Sequence, residues 1–305
     1  MGDESTLYFN LYRSAIEAQF QQNGSRVAPL CMQKVVEGEF DYSNRINAID
    51  DDNTNSDDNV RKIDTHFFDV SYDRRRINTD ESRWSTVVDK NDLIRMSSDP
   101  QSAIVTNAVN YLARKADKKV ITAAYGTAYS GKAGATSNTF DTSNQRVASN
   151  WKDGGATGSD TNLTIAKLRR SRKIFDTQEA VMMGEQLNCV FNAATRDGLL
   201  RETAVTSSDF NTMKCLVPGE VYDFMGFRFT RSELLPVTTG TIRRVLCFPR
   251  SGLTYGVHAG KPLTVDIDMK NSLKNFNSII SVSISDGAVR EWEQKVLDIL
   301  CEETA

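Results

Sequence analysis

Between Asp99 and Ala128 an apolar residue returns at every fourth position: Ile104, Ala108, Leu112, Ala116, Val120, Ala124 and Ala128, flanked by Val105, Val109 and Ile121. That period draws one continuous apolar stripe along a helix. Asp99-Pro100 supplies a cap and a first-turn proline, a combination that starts helices. Roughly 26 residues rising 1.5 Å each span about 39 Å. A strut of that length sets a minimum dimension for the body built on it. Arg114, Lys115, Asp117, Lys118 and Lys119 fall on its other side and read as a solvated or interface face.

Upstream, residues 6–22 also read as a helix, with Leu7, Leu11, Ala15, Ala18 and Gln22 tracking one side. Asn23-Gly24 ends it, because both residues tolerate a left-handed backbone. From about 36 to 92 the chain turns extended and highly charged. Phe68, Val70 and Tyr72 alternate with Asp69, Ser71 and Asp73, a strand period. The acidic run DDDNTNSDDN at 50–59 reads as an exposed tip. The expectation is a long two-stranded excursion without a core of its own. Such a hairpin is marginal alone in water and must lean on another surface.

Downstream, residues 131–162 are rich in Gly, Ser, Thr and Asn, with Phe140, Val147 and Trp151 as large apolar anchors. They read as a long loop carrying one short strand. A helix follows at about 164–176 with Ile165, Leu168 and Phe175 inward. Strands are expected at 187–191, 220–230, 243–248 and 253–257, with a short helix near 195–203. A last strand at 278–285 should lead through Asp286-Gly287 into a mixed closing segment. No internal repeat is visible. The order is that of an α+β protein.

Composition excludes several classes. The chain has 305 residues, 39% hydrophobic and 25% charged, which rules out collagen-like, coiled-coil and wholly disordered chains. No stretch approaches the roughly 18 apolar residues of a membrane span. The opening MGDESTLYFN carries acids where a secretory signal carries a basic and then an apolar segment, so secretion by that route is not expected. A net charge of −3, from 37 basic and 40 acidic residues, is not that of an electrostatic nucleic-acid binder. Cys31, Cys189, Cys215, Cys247 and Cys301 are scattered without a CxxC pair and read as buried, reduced thiols. Two histidines, His66 and His258, leave little for acid–base or metal chemistry.

Four motifs invite a chemical reading. Gly126 to Ala133 nearly spells a phosphate-cradling loop, but that loop needs a strand before it, a helix after it and a hydroxyl for magnesium. Here a helix precedes and Ala133 replaces the hydroxyl, so the reading is a glycine-terminated helix. Asp51 to Asp57 faintly resembles a calcium loop, yet Ser56 stands at its sixth position and Lys62 at its twelfth, where glycine and a bidentate glutamate belong. Lys167, Arg169, Arg170, Arg172 and Lys173 place five cations in seven residues, either facing nucleic-acid phosphates or paired with neighbouring acids. Asp266 and Asp268 alternate with Val265 and Ile267 as on a half-exposed strand. No cofactor, metal or catalytic constellation follows, and the chain reads as a non-enzyme.

In the order of these elements the sequence resembles the major capsid proteins of tailed bacteriophages, over nearly its whole length. The segments carrying the resemblance are Gln21-Gln22-Asn23-Gly24-Ser25, Arg83-Trp84, Val88-Asp89-Lys90-Asn91-Asp92 and Asp99-Pro100. Arg114 and Asp117, Leu163-Thr164 with Leu168, Gly219-Glu220-Val221, Gly226-Phe227, Ser232-Glu233-Leu234-Leu235-Pro236 and Gly287-Ala288-Val289-Arg290 continue it. The resemblance implies a Hong Kong 97-like fold: an N-terminal arm at 1–35, an E-loop at 36–92, a peripheral domain at 93–176 and 261–305 holding a spine helix at 99–125, and an axial domain at 177–260. It implies hexamers and pentamers in an icosahedral head around double-stranded DNA, assembled in the bacterial host cytoplasm, with portal, scaffolding and decoration proteins as further partners. No insertion domain and no segment before the first helix is seen, so scaffolding should be separate or dispensable. An encapsulin-like cellular shell shares the fold and is the alternative; a nucleotide-dependent enzyme using Gly126 to Lys132 is the alternative of another class.

Two residue groups are singled out. Arg74, Arg75, Arg76 and Arg83 are expected at a subunit interface, because adjacent arginines repel in an isolated hairpin and gain partners only from acids opposite. Lys167, Arg169, Arg170, Arg172 and Lys173 are the candidate interior face toward weakly, non-specifically bound DNA.

Overall fold

A computed structural model describes residues 22–47, 70–88, 101–156, 158–182, 184–201, 223–269 and 278–304. The expected helix at 6–22, apart from Gln22, the acidic tip, the part of the Phe68 alternation before Val70, the Asp99-Pro100 cap, His66 and Cys215 lie outside these residues. The described chain runs β1 (Met32–Val36), β2 (Phe40–Ile46), β3 (Tyr72–Asn78), β4 (Asp80–Val88), α1 (Gln101–Tyr125), β5 (Ala128–Ser130), β6 (Thr136–Asn138), β7 (Arg146–Val147), β8 (Trp151–Lys152) and β9 (Gly155–Ala156). Then come α2 (Ile165–Thr177), β10 (Leu187–Phe191), α3 (Ala193–Arg201), β11 (Asp223–Phe224), β12 (Phe227–Arg231), β13 (Ile242–Pro249), β14 (Leu253–His258), β15 (Thr264–Met269), β16 (Ser278–Arg290) and β17 (Leu297–Glu302).

The apolar stripe of α1 is inward as its period requires: Ala108, Leu112, Ala116, Val120, Ile121 and Ala124 are all buried. Helix α1 stops at Tyr125, where Gly126 N–H bonds back to Thr122 O at 2.8 Å. Ala128, expected to continue the stripe, starts β5 instead. The segment expected as one long loop holds four short strands, β6 to β9.

Strand β10 reads LNCVF and is buried at every position, as is the stretch Val245 to Pro249 of β13. Continuous rather than alternating burial means that both faces of this sheet are covered. Cys189, Phe191, Val245 and Cys247 face a core shared with Leu168 and Phe175 of α2, with Leu297, Ile299 and Cys301 of β17 alongside. Val190, Leu246 and Phe248 face the other way, into a core with Val120, Ile121 and Ala124 of α1. The sheet, ordered β11-β12-β10-β13-β17-β7, is therefore clamped between two helices. Packing cuts across the expected division: α2 and β17 join this sheet, whereas β14 joins β1, β4, β15 and β16 beside α1.

Strand β16 does not end at Ser285 but runs 13 residues, straight through Asp286-Gly287 to Arg290. Gly287 is there for clearance: a Cβ would lie 1.8 Å from Asn78 O. Its cross-strand partner Gly256 would place a Cβ 2.6 Å from Val36 Cγ2. The paired glycines open a trench in which the base of the β2–β3 hairpin rests. That corrects the coreless reading, since Val36 and Ile77 are buried there with Ala128 and Val289.

Candidate subunit-contact face

Arg74, Arg75 and Arg76 lie inside β3. The alternation of a strand therefore sends them to opposite faces. Strand β2 pairs with β3 so that Tyr42 faces Arg76, Asn44 faces Arg74 and Ile46 faces Tyr72. Phe40, Tyr42, Asn44, Ile46, Tyr72, Arg74 and Arg76 thus share one face, which carries no carboxylate. The Arg74 and Arg76 guanidinium groups lie 5.6 and 4.3 Å from the Tyr42 and Phe40 ring centroids. Attraction to the ring faces holds both cations over the aromatic side chains. Tyr72 is 74% and Ile46 59% exposed, so this face is open among the described residues.

Arg75 points the other way and is buried. Its Nη2 donates to Glu293 Oε1 at 2.6 Å and its Nε to Glu291 O at 3.1 Å. Glu293 Oε2 accepts from Arg290 Nε at 2.5 Å, and Arg290 Nη1 in turn closes the Ala124 and Gly126 carbonyls at the end of α1, at 2.7 and 2.8 Å. Arg45 adds bonds to Asp73 and to Glu291 O and sits 4.4 Å over the Trp292 ring. Partial burial works to raise the Asp73 pKa, but hydrogen bonds from Arg45 and the Arg74 N–H outweigh it and leave the carboxyl below its ordinary value. The repulsion expected among the arginines is thus resolved within the chain for Arg75, which is not a free interface group. Arg83 is exposed on β4 and pairs with Glu81 at 3.1 Å.

The basic run on α2 divides in the same way. Lys167 is fully buried, with Nζ donating to Thr161 O, Asn162 O and Leu300 O at 2.6, 3.0 and 2.9 Å. Burial lowers its pKa. It cannot face DNA; it ties the start of α2 to β17. Arg169 is exposed and pairs with Asp153, Arg170 stacks 4.9 Å from the Trp151 ring centroid, and Arg172 pairs with Asp176 at 3.0 Å. Lys173 is exposed at the surface.

Asp117, expected on the solvated side of α1, is instead fully buried. Its carboxylate accepts from the backbone N–H groups of Arg26, Val27 and Ala28 at 2.9, 2.9 and 3.0 Å. Ser25 Oγ and the Gln22 amide add bonds at 2.5 and 2.6 Å. The signal was its spacing, four residues before the buried Ile121. Glu291, Glu293 and Arg290 had no such signal, because, apart from the Arg290–Glu293 pair, the side-chain hydrogen bonds that hold them come from more than 100 residues away.

The near-P-loop holds a helix before and a strand after Gly126, the reverse of the order a phosphate cradle needs. Among the described residues no cluster of three His, Cys, Asp or Glu is placed to hold a metal. Cys31, Cys189, Cys247 and Cys301 are buried and free, and burial raises the Cys301 thiol to about 12.

The protein-family model described as "Phage capsid protein" matches residues 5–303. Among solved structures, the capsid of cyanophage P-SCSP1u is similar at 13% identity and a TM-score of 0.67, covering 93% of this chain and 90% of that one. The cyanophage Pam1 capsid is similar at 11% identity and a TM-score of 0.68, covering 95% and 97%. The mature capsid of bacteriophage PhiM1 follows at 14% and 0.65, covering 95% and 90%. No curated protein matches the chain by sequence.

Proposed function

Because the chain belongs to the phage capsid protein family and is a structural major capsid protein of the virion, we propose that it closes an icosahedral shell as hexamers and pentamers joined through the outward face of the β2–β3 hairpin. One observation carries this reading. The face combines Phe40, Tyr42, Ile46 and Tyr72 with two stacked arginines and no acid. Aromatic residues and arginine are what buried interface centres enrich, and acids are what they lack. The hairpin base, locked in the glycine trench, fixes the direction in which this face is presented.

Within this reading, residues 1–35 form the N-terminal arm, 36–92 the E-loop, and α1 the spine helix of a Hong Kong 97-like subunit. The peripheral part gathers α1 with β1, β4 and β14 to β16, and the axial part gathers α2 with the β10 sheet. Arg74, Arg76 and Arg83 are the interface cations. Arg169, Arg170, Arg172 and Lys173 face the packaged double-stranded DNA, their charge partly offset by Asp153 and Asp176. Assembly takes place in the host cytoplasm with portal and scaffolding partners, and the chain catalyses no reaction.

The test is assembly of Tyr72→Ala and Arg76→Glu, followed by negative-stain microscopy and size-exclusion chromatography. Both variants should fold as wild type by circular dichroism yet give capsomers in place of closed particles. Wild-type particle yield from both would overturn this reading.

A further inference from the structure

Side chains of β10 alternate across their sheet. Cys189 faces the core with α2, so Asn188 faces the opposite side, level with Arg228 of β12 and Phe248 of β13. On that side lies a cavity of about 680 Å³, bounded by β10, β12, the start of β1 and the turn after β13. Its volume is in the range of ligand sites.

Asn188 lines this cavity and is only 5% exposed, yet its side-chain amide makes no hydrogen bond among the described residues. Buried polar groups are nearly always paired, so an open amide at a cavity wall is a donor available to a ligand. Arg228 and Arg250 line the same cavity, both exposed and neither in an ion pair among the described residues. Glu185, the other charged group in the lining, is already engaged by Ser251, whose N–H and Oγ donate to it at 2.6 and 3.0 Å. Lys295 Nζ reaches that hydroxyl at 2.8 Å without lining the cavity. Two guanidinium groups against one carboxylate leave a single positive charge in the lining, and guanidinium donors suit oxyanions.

Three features select among oxyanions. A single net charge matches a carboxylate better than a phosphate dianion. Pro29, Leu30 and Met32 add apolar lining, with Met32 54% exposed. That surface suits apolar side chains beside the carboxylate, which a nucleic-acid backbone does not bring. The cavity also lies on the sheet face away from α2, whose cations are proposed above to face DNA.

We propose that this cavity binds the carboxylate side chain of an apolar-flanked segment of a partner protein, with Arg228 and Arg250 as its charged donors and the Asn188 amide as a further one. Only the exclusion of DNA rests on the α2 reading, and binding is measured without DNA, so the two can fail separately.

The test titrates acetyl-Leu-Glu-Leu-amide into the full-length chain by isothermal calorimetry. A Kd of about 1 mM or below is expected. Acetyl-Leu-Gln-Leu-amide should bind wild type about tenfold or more weakly, and a protein carrying Arg228→Ala and Arg250→Ala should lose the Glu peptide to the same degree. Arg201→Ala, which removes an exposed arginine elsewhere, should bind as wild type. No measurable binding, equal binding of the Gln peptide, or unchanged binding by the double variant overturns the proposal. So does inorganic phosphate or a short single-stranded DNA that binds at least as tightly as the Glu peptide. If the double variant does not fold, the comparison of the two peptides on wild type decides alone.

Discussion

Asp117, midway along α1, accepts a hydrogen bond from the backbone N–H of Val27 at 2.9 Å, across 90 residues of chain. The same carboxylate takes the N–H groups of Arg26 and Ala28, so three consecutive donors of the entering chain converge on one buried anion. Charge-assisted bonds of this kind are the stronger class. Asp117→Ala should cost about 2–4 kcal/mol, because it orphans the donors as well as removing the acceptor. Thermal unfolding checks this; a shift no larger than that of a surface substitution would show that the anchor is not needed.

Leu112 packs with Ala108 and Val282 between α1 and β16. Leu112→Asp puts an unpaired charge there and should cost several kcal/mol, of order 3–5. Insoluble protein, or protein unable to assemble, is expected. Soluble Leu112→Asp particles would mean that this face of α1 tolerates water.

Gly287→Ala tests the trench. Its Cβ would enter the space of Asn78 O, a backbone atom that cannot move without shifting β3. The hairpin should detach from β16, with loss of soluble yield or faster proteolysis after Arg74 and Arg76. Gly154→Ala, with nothing near its Cβ but a positive φ of 97°, should cost only about 1 kcal/mol of backbone strain.

Lys167 and the other α2 cations should separate cleanly. Lys167→Ala removes a charged donor from three carbonyls, of which Thr161 O keeps the Glu302 N–H, and should destabilise by about 1–3 kcal/mol. Replacing Arg169, Arg170 and Arg172 together by Gln should leave the melting temperature within a degree or two, since exposed pairs contribute about 0–1 kcal/mol each. In the same variant the salt dependence of DNA binding should flatten, by about 0.9 in log–log slope for each phosphate that is no longer neutralised. An unchanged slope would remove α2 from the DNA-facing surface.

Glu303 is held below its ordinary value of 4.5, chiefly by the Arg243 hydrogen bond at 2.7 Å, with partial burial opposing. A depressed folded pKa gives stability that is present above the unfolded value and lost as pH falls through the folded one. Acid should therefore weaken the Arg243–Glu303 tie between β13 and the chain end below about pH 4.5. Glu303→Gln should flatten the acid limb of the melting temperature in that window and leave it unchanged near pH 7. Identical acid limbs would show that another group governs acid unfolding.

Local pattern carried much of this protein. The four-residue period fixed α1 and its buried side, because helix geometry leaves one stripe for a core. The mostly apolar run at 187–191 and the alternation around Val265 gave their strands, and the mismatched flanks of Gly126 removed the nucleotide site. The order of these elements was enough to recognise the family. Tertiary structure decided which charges are structural. Asp117, Arg75 and Lys167 look like solvated residues in the chain, yet each is buried against backbone groups or acids from distant segments. Gly287 reads as a residue past the strand end until Asn78 arrives opposite it, and a trench explains it instead. Periodicity reports only what a residue's own element requires. Desolvation, clearance and pairing depend on what the rest of the chain brings within a few ångströms, and that is set only when the sheets close on one another.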